Sequence, residues 1–172
     1  PASLAADPIV VCSVGVILGP FRGLGDLVRQ IARGTVPTGH MRADEARIPL
    51  KDLRFPPTDL RGALSQQTLV LDAAQMALNG ITLPPRERCG TIVGIGCDPN
   101  AGRMGLFWRA IHAAFGEHPI DADQVAALDT AIGGLRGPAG TLGPMPNLPA
   151  NRINIQHDFA GLGMTMSSEE LS

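Results

Sequence analysis

Hydrophobic positions along this chain change period several times, and each change predicts an element. Pro8 to Gly15 is an apolar, β-branched run, which predicts a buried strand. Gly19-Pro20 and Arg22-Gly23 punctuate a loop after it. Leu24, Leu27, Val28 and Ile31 then recur at helical spacing, so residues 24–33 predict a helix that Gly34 closes. From Gly34 to Asp59 the prolines at 37, 49, 56 and 57 deny regular structure. Arg42, Asp44, Glu45 and Arg47 there read as a solvated surface, and Phe55 as a packing anchor.

Thr58 or Asp59 can cap a helix over residues 60–79, with Leu60, Leu64, Leu71, Ala74 and Leu78 as its core-facing stripe and Gly80 as its stop. Pro84 to Arg88 reads as a turn. Cys89 to Cys97 reads as a second buried strand, whose glycines allow close approach of another group. Met104 to Phe115 predicts a helix, Ala122 to Ile132 another, and Gly133 to Pro149 a loop. Asn151 to Gln156 begins a helix or turn that carries Arg152. His157-Asp158 reads as a turn, and Met164 to Ser167 as a final strand.

Composition removes several classes of function. The 172 residues suffice for one domain with a core, spanning 1–172. Net charge is −2, and lysine occurs once, at Lys51, so no nucleic-acid or anionic-membrane surface is indicated. No apolar run reaches the roughly 20 residues of a membrane span. Ile9 to Leu18 lacks a basic leader and is interrupted by Gly15, so it does not read as a signal peptide. Cys12, Cys89 and Cys97 are scattered and odd in number, which suits free thiols in a reducing cytoplasm. No paired ligands at short spacing suggest a metal site. Gly94-x-Gly96 is not a dinucleotide fingerprint, because proline occupies position 99. His112 and His118 read as surface or core histidines, and Trp108 can stack on His112 four residues on.

Four ordered segments carry a resemblance. They are Ser65-Gln66-Gln67, then Ala77-Leu78-Asn79-Gly80-Ile81, then the glycine-rich strand from Cys89, and finally Ala150-Asn151-Arg152-Ile153 leading through Gly161-Leu162-Gly163 and Met164-Thr165-Met166 into Ser167-Ser168-Glu169-Glu170. This order resembles β-ketoacyl synthases, the condensing enzymes of fatty-acid and polyketide synthesis. The family's counterparts are Asp-Pro-Gln-Gln before an apolar helix, an Ala-Gly-Ile ending, a Thr-Gly-Val strand and the run into the nucleophile elbow. The resemblance implies an α/β, thiolase-like fold, here its N-terminal half, with a mixed sheet covered by helices. It also implies an acyl carrier protein as partner, whose phosphopantetheine arm delivers the acyl chain. No cofactor is implied within this chain.

The same alignment puts Glu170 where the family has its nucleophilic cysteine. A carboxylate is a poor acyl acceptor, since the product would be a mixed anhydride, and it would repel the carboxylate of malonate. The family's two catalytic histidines and supporting lysine follow the elbow, so none of their roles falls on a residue of this chain. Ser168-Glu169-Glu170 is similar to the elbow of chain-length-factor subunits, which carry Glu-Gln in place of Ala-Cys, and to ketosynthase-like domains of polyunsaturated fatty-acid synthases.

The resemblance therefore implies a non-condensing, chain-length-shaping component, completed by a C-terminal half or a ketosynthase partner in a homo- or heterodimer. Met164, Thr165, Met166, Ser167, Ser168 and Glu169 are the expected pocket or interface residues. A fragment, a half completed by a partner chain and part of a longer product are equally compatible with the length. Two other readings stand beside this one. The first is an active malonyl-carrier decarboxylase or condensing enzyme; the second is a small α/β binding module.

Overall fold

The computed structural model describes residues 9–34, 42–43, 45–96, 123, 126, 142–143 and 145–167. It is mixed α/β, with two small sheets and four α-helices whose bounds fall within those residues. The chain divides into two compact units. One comprises Pro1–Asp44 and Ala73–Thr82, and the other comprises Glu45–Asp72 and Leu83–Ser172.

In the first unit, β1 (Ile17–Leu18) pairs antiparallel with β2 (Phe21–Arg22) across the Gly19-Pro20 turn. Helix α1 (Leu24–Ala32) follows. Gly34, at φ 66°, stops it as expected, because only glycine enters that left-handed region at little cost. Asp26 in the first turn suits the positive end of the helix and forms an ion pair with Arg29 one turn on. The apolar stripe of α1 is largely uncovered: Leu24, Val28 and Ile31 are all exposed.

The strand expected over Pro8 to Gly15 does not form in the described residues. Ile9 to Val16 is neither strand nor helix, and Ile9, Val10 and Val11 face solvent. A β-branched run becomes a buried strand only when a neighbour supplies its ladder and a second layer covers it. Among the described residues neither is present for Ile9 to Gly15. Gly15 passes close to a helix, where an added Cβ would overlap the Ala73 carbonyl.

The long helix expected over residues 60–79 is two helices. Pro57–Arg61 forms α2, with Pro57 in the first turn, where its missing N–H costs nothing. Gly62 ends α2, and α3 begins afresh at Ser65 and runs to Leu78. Residues 65–72 of α3 belong to the second unit and residues 73–78 to the first. Gly80, at φ 76°, follows as the predicted stop.

The second unit is built on a parallel pair. β3 (Thr91–Gly94) lies beside β4 (Gly163–Met166) in the register Thr91 to Gly163, Ile92 to Met164, Val93 to Thr165 and Gly94 to Met166. Helix α4 (Leu148–His157) packs on both strands. It starts within the stretch read as a loop up to Pro149, because Pro149 sits in its first turn, a permitted place for proline. The strand expected over Cys89 to Cys97 is shorter than foreseen and covered on one face only. Val93 is buried against α4 while Ile92 is 65% exposed. A short 3-10 turn, Arg86–Arg88, leads into β3 where a turn was expected. Asp123 and Ala126 are helical, within the helix expected over Ala122 to Ile132. The helix expected over Met104 to Phe115, with Trp108, His112 and His118, lies outside the described residues, as do Asp44 and Cys97.

Candidate functional site

The core of the second unit gathers around Gln67. This side chain is 1% exposed, although it is polar, and it sits in the first turn of α3. Its Nε2 donates to the carbonyls of Gly143 at 2.6 Å and Met145 at 2.9 Å. Its Oε1 accepts from Arg152 Nε at 3.0 Å. All of the amide's principal capacity is thereby used, which is the condition for burying it.

Arg152 is itself 7% exposed, on the face of α4 turned toward the core. Its guanidinium carbon lies 5.5 Å from the centre of the Phe55 ring, a cation–π distance. Phe55 is therefore a packing plate, as the sequence suggests. Burial lowers the Arg152 pKa from its ordinary value, and the negative charge of Asp59 partly offsets that. Gln66, the other half of the glutamine pair, turns the opposite way and donates to the Gly96 carbonyl just after β3, at 2.9 Å. The pair thus ties α3 to α4 on one side and to the end of β3 on the other.

Of the residues expected to line a pocket or interface, four are described. Thr165 faces α4, where its hydroxyl accepts from the Ala150 N–H at 3.2 Å and donates to the Asn147 carbonyl at 3.5 Å. That hydroxyl satisfies one of the orphan amides at the start of α4. Met164 and Met166 point to the other face of the sheet and are 39% and 48% exposed. Ser167 is exposed just beyond the strand. Ser168, Glu169 and Glu170 lie outside the described residues. The structure thus separates the expected set into a half-buried threonine that anchors α4 and two exposed methionines on an open sheet face.

Close backbone packing holds this seam together. A Cβ on Gly90 would sit 2.6 Å from the Leu162 carbonyl oxygen, and one on Gly161 would sit 2.5 Å from that of Cys89. The Thr91 N–H donates to the Leu162 carbonyl at 2.7 Å, and Gly161 N–H to the Cys89 carbonyl at 2.8 Å. Glycine is needed on both sides for the segments to approach so closely.

Cys89 is buried with its Sγ 3.4 Å from the Pro84 carbonyl and 3.7 Å from that of Pro85. The thiol is thus turned toward two backbone carbonyls of the turn before β3. His157 closes α4 and Asp158 follows in the left-handed region at φ 57°. The two form the end of a helix, not a catalytic pair. Asp158 instead meets Arg86 at 2.9 Å and Arg54 at 3.3 Å. Among the described residues no cluster of three His, Cys, Asp or Glu side chains could hold a metal ion. Likewise, none of the described helices is long and apolar enough to cross a membrane.

Sequence reasoning picked out Gln66-Gln67 and Arg152 separately and did not foresee that they meet. The available signal was a glutamine at a core position, three residues after Leu64 and four before Leu71. It also missed Asp72, which is 2% exposed and accepts from the Arg47 N–H at 2.6 Å. Comparison with protein-family models and with curated proteins finds no match.

Proposed function

We propose that this chain is the N-terminal half of a thiolase-like fold and serves as a non-condensing, chain-length-factor-like component of a polyketide or fatty-acid synthase. The observation that carries this reading is the buried bond from Arg152 Nε to Gln67 Oε1. The two residues come from two segments of the resemblance that are 85 positions apart. A chance likeness of short motifs gives no reason for those motifs to meet in one core. The parallel pairing of β4 with β3, directly before the elbow segment, supports the same reading.

On this reading Glu170 stands at the nucleophile's place and takes no acyl group. The exposed face carrying Met164 and Met166 belongs to the acyl pocket or to the contact with a second half or a ketosynthase partner. The acyl carrier protein presents its phosphopantetheine arm to that assembly, in the cytoplasm.

Glu170→Cys tests the alignment. In the protein purified with its native partners, the new thiolate would attack the carrier thioester carbonyl. The carrier thiol would leave, and the acyl group would remain on residue 170 as a thioester. Intact-mass spectrometry should show one acyl adduct on the variant and none on the parent chain. A folded variant that gains no adduct would count against the placement of Glu170.

A further inference from the structure

Three contacts fasten the loop around Asp52 and Arg54 to the end of α4. The Arg54 N–H donates to Gln156 Oε1 at 3.2 Å. Gln156 Nε2 returns a bond to the Asp52 carbonyl at 3.0 Å. The Arg54 guanidinium meets Asp158 at 3.3 Å. Between Gln156 and Asp158 stands His157. Its ring lies 5.7 Å from that of Phe159, and its Nε2 is buried with no hydrogen-bond partner among the described residues.

A neutral imidazole can leave Nε2 as an unused acceptor at modest cost. An imidazolium would place a charged N–H there with nothing to receive it. The surrounding charges add to that cost. Asp158 is the nearest carboxylate in sequence, but it is shared between Arg54 and Arg86. Glu87 lies 3.9 Å from Arg86, and Asp52 is exposed. β3 and β4, packed on the same helix, carry no charged residue, and Arg152 of α4 adds a further positive charge. The negative end of α4 would welcome a cation. Two of its last carbonyls are already engaged, however: Ile155 O accepts from Asp158 N–H and Asn154 O from Phe159 N–H. Burial, and then the charge of Arg54, lower the His157 pKa from the ordinary 6.5.

We propose that the loop at Asp52 and Arg54 is docked on α4 only while His157 is neutral, so that mild acid releases it. The unfolded or undocked state takes up the proton more readily. Docking is therefore complete above the ordinary histidine value of about 6.5 and weakens as pH falls below it toward the lowered value. The inference does not depend on the ketosynthase reading.

Amide hydrogen exchange at Arg54, corrected for intrinsic rate, tests it when measured by NMR alongside the His157 ring signals. The ring should titrate below about 6.5, and Arg54 protection should fall at least about tenfold between about pH 7.5 and about pH 5, with the same midpoint. In His157→Gln the protection should become independent of pH. A ring that titrates at or above the ordinary value, a flat Arg54 profile in the parent, or an unchanged profile in the variant would each overturn the proposal. The ring titration and the parent profile need no variant, so the proposal stays testable even where His157→Gln does not fold.

Discussion

Gln67 satisfies three partners from one side chain, so its loss is felt at three places. In Gln67→Ala the carbonyls of Gly143 and Met145 lose their donor and the buried Arg152 loses its acceptor. Each unsatisfied buried group costs about 1–3 kcal/mol, and partial hydration recovers some of that. We therefore expect Gln67→Ala to destabilise the second unit by about 2–4 kcal/mol, read as a lower midpoint in urea unfolding with an unchanged slope. A midpoint within experimental error of the parent would contradict this account of the core. Arg152→Lys should also destabilise, because an ammonium cannot offer the planar face that lies over Phe55 and reaches Gln67 with Nε. The sequence marked Gln67 and Arg152 as worth notice, but not as partners. A hydrogen bond between residues so far apart leaves no trace in local periodicity.

At the scale of elements, glycine spacing makes a graded prediction. Gly90→Ala would press a Cβ against backbone at Leu162, which cannot yield without moving β4. Gly163→Ala would meet the Asn154 amide nitrogen at 2.5 Å, the far end of a side chain that can turn away. Gly96→Ala would meet nothing within 4 Å. Thermal unfolding should rank them in that order, with Gly90→Ala costing about 1–3 kcal/mol and Gly96→Ala close to neutral. An equal effect at all three positions would mean that the β3–β4 seam is not as close as described.

Elements with a local cause were legible in advance. The ends of α1 and α3 were marked by Gly34 and Gly80, whereas β4 was expected from the resemblance, as the strand that runs into the elbow. The elements misread were those whose form depends on distant groups. The run from Ile9 to Val16 has strand composition, but among the described residues its backbone partner is Gly23 alone, which donates to the Val16 carbonyl at 2.7 Å. The helix after Pro56 has one continuous apolar stripe, yet Gly62 interrupts it between Arg61 and Ser65. A stripe records which face is buried; it does not record whether the backbone runs unbroken beneath it.

Across the described residues, both units expose groups of large apolar side chains. In the first unit Ile9, Val10, Val11, Leu24, Val28 and Ile31 are exposed. In the second, Ile92, Met164 and Met166 lie together on the uncovered face of a parallel pair, an arrangement that ordinarily has a layer on both sides. Such patches mark sites of association. The isolated 172-residue chain should therefore self-associate with rising concentration, and sedimentation velocity checks this. A monomer throughout would favour a self-contained module over a component completed by a partner.

Whether Glu170 replaces a nucleophile is the claim on which the functional reading turns. The most direct test is intact-mass spectrometry of the native protein after incubation with acyl- and malonyl-carrier thioesters, with the carrier's own mass followed in the same sample. The account predicts no covalent adduct on this chain and no loss of carbon dioxide from the malonyl carrier. A stable acyl adduct, or decarboxylation that requires this chain, would contradict a non-condensing role and make it part of a working enzyme.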